Sequence, residues 1–326
     1  MAGIVDSLLA SPNPAVVYKA RTLLLGEDQD SRPLKNLRRA IAASAMAQSM
    51  LRPHDKDVTR IAGPYKKWQG PHWTLVSLAQ IDYLPGDPDL LPLRDRIYDW
   101  LLSPRHLEFP RSLLISGQED RFRHCASIEG NAIWSSIRLG IDDARTRELA
   151  SRLAKWQWPD GGWNCDKKPG ARVSSVIETC IPLRGLALAA ATWEGRGIYD
   201  LRAAAGRAAE YFLSHKLFRR QRDGEPIKAD FATIRYPIQF YDLLYVLLVM
   251  AEAGKIRDPR CSEALDLLEA KRLPDGGFPA ERRTAKTSCS FVTNGTFADW
   301  GSFGKRRMNE FVTVDAIWVL KKAGRI

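Results

Sequence analysis

Apolar residues along this chain recur at helical spacing, and the segments that carry them are of two alternating kinds. In Leu34–Leu51, Leu90–Leu102, Ala144–Trp156, Leu201–Lys216 and Arg260–Lys271, an apolar stripe is backed by a polar, charged face. Helices of that pattern lie with one side in water. Ala15–Leu25, Trp73–Ile81, Ala126–Leu139, Ser174–Ala191, Ile238–Ala253 and Asn309–Lys322 are apolar nearly all round, the pattern of buried helices. Period-two alternation between hairpin turns does not occur, so almost no sheet is expected. The alternation predicts an all-α chain of about six stacked helical hairpins. The buried helices form an inner ring and the amphipathic ones an outer ring, within one domain spanning residues 1–326.

A repeated turn supports this layout. Gln157-Trp158-Pro159-Asp160-Gly161-Gly162-Trp163 follows one amphipathic segment, and Leu273-Pro274-Asp275-Gly276-Gly277-Phe278 follows another. Gln221-Arg222-Asp223-Gly224 is a weaker copy between them. Pro-Asp-Gly-Gly ends a helix through positive φ at glycine, and the aromatic that follows can fold back onto the helix just ended. The first copy resembles the QW motif of squalene and terpene cyclases, and the Gly-Gly-Phe copy is similar to the repeat of protein prenyltransferase β subunits. That resemblance implies an α/α toroid of inner and outer helices. In those families the motif marks the fold, so function does not follow from it.

Four of the apolar segments carry a carboxylate near their entry: Glu129, Glu178, Asp242 and Asp315. Buried carboxylates are costly unless paired or hydrogen-bonded. They are therefore either structural caps and ion pairs or the catalytic lining of a central cavity. The segments just before these helices are basic and aromatic. His72, Trp73, Arg123, His124, Trp163, Arg235, Tyr241, Lys305 and Arg307 are the candidate substrate-binding residues, placed to receive an anionic or small-molecule substrate at the mouth of the ring.

The resemblance has gaps. The Asp-x-Asp-Asp acid of class II cyclases and the Asp-Asp-x-x-Asp magnesium motif of class I synthases are both missing from the sequence. Glu178-Thr179-Cys180 is similar to the Asp-x-Cys zinc element of prenyltransferases, which makes Glu178 and Cys180 weak metal candidates. The third ligand of that family would fall near Thr313, which offers no imidazole; His72 or His124 could supply a nitrogen instead. No metal is assigned on this basis, with zinc or magnesium the ions to test.

Composition narrows the remaining readings. A net charge of +11 predicts attraction to anions, and ten tryptophans offer faces for stacking or cation–π contact. Five scattered cysteines without a Cys-x-x-Cys pair fit reduced thiols and a cytoplasmic setting. The longest apolar run, Tyr241–Ala253, contains Asp242 and Glu252 and is too short to span a membrane. No nucleotide-binding loop, nucleophile elbow or nucleic-acid-binding signature is present in the sequence. The leading expectation is an enzyme similar to the terpene cyclases and prenyltransferases, acting on an isoprenoid or other apolar substrate. A lyase or hydrolase of acidic polysaccharides and a non-catalytic toroid binding protein or nucleic acid are the alternatives.

Overall fold

The computed structural model describes residues 2–54, 63–107, 124–168, 170–195, 197–237 and 241–326. It is mostly helical, with 54% helix and 4% strand, as the periodicity requires. Among the described residues the β structure is two two-residue parallel pairs, Arg235–Tyr236 with Arg282–Arg283 and Lys286–Thr287 with Gly295–Thr296, and two isolated antiparallel bridges, Arg219 with Pro226 and Pro279 with Met308.

In chain order the helices are α1 (Ala2–Leu9), α2 (Pro14–Lys19, running into a π turn over Ala20–Leu24), α3 (Arg32–Ala43), α4 (Ala45–Leu51), α5 (Pro71–Gln80), α6 (Leu91–Leu101) and α7 (Pro104–Leu107). They continue as α8 (Ala126–Arg138), α9 (Ala144–Lys155), α10 (Val176–Thr192), α11 (Ile198–Ser214), α12 (Leu243–Glu252), α13 (Ser262–Glu269) and α14 (Glu310–Ala323). One expected helix, Leu34–Leu51, is broken in two. Ser44 takes extended backbone and its hydroxyl accepts from the Ala47 N–H, so it caps α4 instead of continuing α3. The segment expected to start at Ile238 begins at Leu243, capped by Asp242; residues 238–240 lie outside the described residues.

Packing follows the two kinds of helix. Each amphipathic helix packs on the apolar helix before it: α3 on α2, α6 on α5, α9 on α8, α11 on α10, α13 on α12. The apolar helices contact one another in succession, α5 with α8, α8 with α10, α10 with α12, α12 with α14, and α14 with α2 and its π turn. Every residue of α5 is buried, and in α12 only Glu252 is not. A cavity of about 120 Å³ touches all six apolar helices through Lys19, Gln80, Trp134, Arg184, Glu252 and Asp315.

The two Pro-Asp-Gly-Gly turns set the register. In the first, the Trp163 N–H donates to the Thr179 hydroxyl (3.2 Å) and the Trp163 carbonyl accepts from Ser175 N–H (2.8 Å). In the second, the Phe278 N–H donates to the Thr313 hydroxyl (2.9 Å) and the Phe278 carbonyl accepts from Asn309 N–H (2.9 Å). Thr179 and Thr313 are thus equivalent positions of α10 and α14. Gly161 and Gly276 supply the positive φ that each turn needs. The Trp163 indole returns to the helix just ended, donating to the Leu153 carbonyl at 3.0 Å.

Candidate functional site

The four carboxylates do not meet at one point. Asp242 is the N-cap of α12: one oxygen accepts from Tyr245 N–H (2.9 Å), the other from Arg235 N–H (2.8 Å). Burial pushes its carboxyl up to about 7, against the pull of those two backbone donors. Asp315 forms a buried ion pair with Lys19 at 2.6 Å, and burial raises its carboxyl while Lys19 opposes the shift. The register explains the separation. Glu178 precedes Thr179, whereas Asp315 follows Thr313, an offset of three residues or about 4.5 Å along a helix axis.

Glu129 and Glu178 do come together, at the entry ends of α8 and α10. The helices cross closely there because both carry glycine. A Cβ on Gly130 would lie 2.7 Å from Pro182 N, and one on Gly185 would lie 2.6 Å from the Gly130 carbonyl oxygen. This approach lets Glu178, from α10, accept the Ser127 N–H in the first turn of α8 at 2.8 Å. Glu129 sits two residues further on in the same first turn, within electrostatic reach of Glu178.

Around these carboxylates lie two triads. In the first, Glu129 Oε1 meets His124 Nε2 at 2.7 Å and His106 Nε2 at 3.1 Å. In the second are Cys125, Cys165 and Glu178, with Cys165 Sγ 3.6 Å from Glu178 Oε1. Within each triad the three potential ligand atoms lie within 4.8 Å of one another. Glu129 is 1% exposed, and its second oxygen has no hydrogen-bond partner among the described residues. Burial alone would raise its carboxyl, but His124 and His106 outweigh that and hold it well below the usual range. For Glu178 burial wins over the Ser127 N–H, and the carboxyl is raised. The Cys125 thiol is raised by its hydrogen bond to Cys165 and by burial, and the Cys165 thiol is correspondingly lowered.

Aromatic rings flank the two triads. Tyr65 packs against His72 (5.2 Å), Trp73 (5.4 Å) and Trp100 (6.0 Å), and His124 meets Trp156 edge-on at 5.4 Å. His72 is 1% exposed, and neither ring nitrogen has a hydrogen-bond partner among the described residues; burial lowers its pKa to about 3. Glu129 is close enough to pull that value upward.

The other expected site residues are dispersed. Trp163 and Tyr241 are buried and donate to the Leu153 and Leu217 carbonyls, so both hold the scaffold. The Arg235 guanidinium pairs with Asp230. Lys305 and Arg307 are exposed on the loop before α14. Arg123 lies outside the described residues. Cys180 is fully buried and belongs to neither triad; the sulfurs beside Glu178 are Cys125 and Cys165. Two positions along a helix put Cys180 on a different face from Glu178.

His106, Cys125 and Cys165 were not among the expected site residues. Their signal is faint: Cys125 and Cys165 lie just ahead of two consecutive apolar helices, and His106 is separated from both in the chain. Among the described residues no helix is long and apolar enough to cross a membrane. No protein-family model, curated protein or solved structure matches the chain.

Proposed function

We propose that the chain is an enzyme built on an α/α toroid similar to those of terpene cyclases and prenyltransferases, with its reaction centre at the Glu129–Glu178 pocket. The observation that carries this reading is convergence. Six reactive side chains from the segments around α7, α8, the Trp163 turn and α10 meet beside aromatic rings, with both carboxylates buried and the histidines and cysteines half-buried. The succession of contacts between the apolar helices and the cavity that touches all six support the ring.

That cavity is lined by charged side chains together with Leu23, Trp134, Leu248 and Trp318, and is smaller than the roughly 300 Å³ at which ligand pockets begin. The apolar part of a substrate is therefore placed on Tyr65, Trp73, Trp100 and Trp156 at the entry end. Its reacting atom faces the two carboxylates, which stabilise developing positive charge together with the ring faces. An isoprenoid or another apolar chain bearing an anionic leaving group is the substrate class.

A second reading has its own observation. Arg282, Arg283, Lys286, Lys305, Arg306 and Arg307 are all exposed, and the two segments adjoin, with Arg283 over the Phe303 ring at 4.6 Å. A face of this kind suits a polyanion such as an acidic glycan.

Thermal shift with the full chain separates the two. A ligand at a hundred times its dissociation constant adds roughly 2.7 kcal/mol. The enzyme reading expects a larger shift with prenyl diphosphates than with inorganic pyrophosphate. It also expects turnover that Glu178→Gln abolishes while the unliganded melt is kept. Shifts confined to uronic-acid polymers and erased by moderate salt overturn it in favour of the second reading.

A further inference from the structure

We infer that Cys125, Cys165 and Glu178 form a binding site for a thiophilic divalent transition metal of the zinc class, with one coordination position left open. The inference deepens the reading of this pocket as a reaction centre and rests on it only for its catalytic consequence; metal binding stands or falls separately.

Geometry is the first support. Zinc holds thiolates at about 2.3 Å and carboxylate oxygens at about 2.1 Å, usually tetrahedrally. Tetrahedral angles then set sulfur–oxygen edges near 3.6 Å and sulfur–sulfur edges near 3.8 Å. Cys165 Sγ and Glu178 Oε1 already stand 3.6 Å apart. All three ligand atoms lie within 4.8 Å of one another, so side-chain adjustments of about 1 Å complete the set. Two sulfurs and one oxygen select zinc over magnesium or calcium, which take oxygen ligands. Three protein ligands with a fourth position open is the arrangement of catalytic zinc, whereas structural zinc uses four.

The second support is independent of the triad. Glu129 Oε2 and both nitrogens of His72 are buried without partners among the described residues. Buried polar atoms without partners are uncommon and costly. Glu129 is in electrostatic reach of Cys125, a member of the triad, and of His72. A metal carrying a water or substrate atom at its open position supplies what they lack: a donor for Glu129 Oε2 and, through the same water, a partner for an imidazole nitrogen. Glu129, held by His106 and His124, is then an outer-shell acceptor that orients the metal-bound group. Binding converts two thiols to thiolates and releases two protons to solvent.

The purified full chain is analysed for bound zinc, stripped with chelator, and titrated with zinc and with cobalt(II). The expected results are one zinc per chain and a sulfur-to-cobalt charge-transfer band. Cys125→Ser and Cys165→Ser should each weaken binding by more than about a hundredfold and dim that band. His106→Ala and His124→Ala should weaken it by no more than about ten- to a hundredfold, as outer-shell changes do. A measurement on the unaltered chain guards against misfolded variants: zinc should protect Cys125 and Cys165 from maleimide, while exposed Cys289 reacts with or without metal. A chain that binds no zinc, thiols that zinc leaves unprotected, or a metal lost with the histidines and kept without the cysteines overturns the inference. A bound zinc in a chain that turns nothing over overturns the enzyme reading alone.

Discussion

Gly130 and Gly185 face each other where α8 crosses α10, so close that a Cβ on Gly185 would stand 2.6 Å from the Gly130 carbonyl oxygen. The opposing atoms are backbone, which cannot swing aside as a flexible side chain would. Gly130→Ala and Gly185→Ala should each destabilise the protein by about 2–3 kcal/mol in denaturant unfolding. They should also pull Glu178 away from the first turn of α8. Gly206, on the exposed face of α11 with open space around it, is the control. Gly206→Ala should stabilise by about 0.5–1 kcal/mol.

Lys19 and Asp315 form a buried ion pair in the cavity of about 120 Å³, 9% and 1% exposed. Removing one partner strands the other charge. Lys19→Met or Asp315→Leu alone should cost about 3–5 kcal/mol, and the double variant should recover most of that loss. A double-mutant cycle in thermal or chemical unfolding measures the recovery. Additive losses would show that the pair is not coupled.

The two threonines of the repeated turn each receive an N–H that has nowhere else to go. Thr179→Val and Thr313→Val keep the shape and remove the acceptor, leaving the Trp163 or Phe278 N–H buried and unpaired. Each should cost about 1–3 kcal/mol. Equal losses at the two sites, read from denaturation midpoints, would match their equivalent positions.

Asp242 makes a prediction about pH. Its carboxyl is pushed up to about 7 in the folded chain, from an ordinary value of 3.8. Between those values the folded state holds a proton that the unfolded state has released. This contribution to stability is therefore fully present below about pH 4 and is lost as pH rises through 7. Asp315, also raised, acts in the same direction. Asp242→Asn should lose a backbone hydrogen bond at every pH, so the comparison lies in the slope. Relative to the variant, the unaltered chain should lose on the order of a few kcal/mol between pH 4 and pH 7.5. A difference that stays flat across that range would refute the assignment.

The helices could be read from the sequence because solvent sorts residues locally. Leu243–Glu252 is apolar on every side and is buried on every side except at Glu252, and Ala144–Lys155 shows the stripe its position demands. The Gly-Gly-aromatic turns were readable for the same reason, since positive φ leaves a glycine in the chain. Ser44 misled the reading: serine is tolerable inside a helix, and only the free Ala47 N–H makes it a cap. The site was half legible. Glu129 and Glu178 stood out as carboxylates in apolar sequence, but so did Asp242 and Asp315, whose partners Tyr245 N–H and Lys19 become visible only after folding. The depth of a carboxylate depends on register, and register is fixed by Thr179 and Thr313. His106, Cys125 and Cys165 meet only through the crossing of α8 and α10 and the return of the Trp163 turn.

The shared turn geometry of Thr179 and Thr313 also bears on ancestry. Val312 holds the address in the second unit that Glu178 holds in the first. The two units thus resemble duplicated parts, one armed with reactive side chains and the other left as plain scaffold. The chemistry of a fold assembled this way need not arise from the fold as a whole. It can be acquired, moved or erased one unit at a time while the unarmed copies keep the shape.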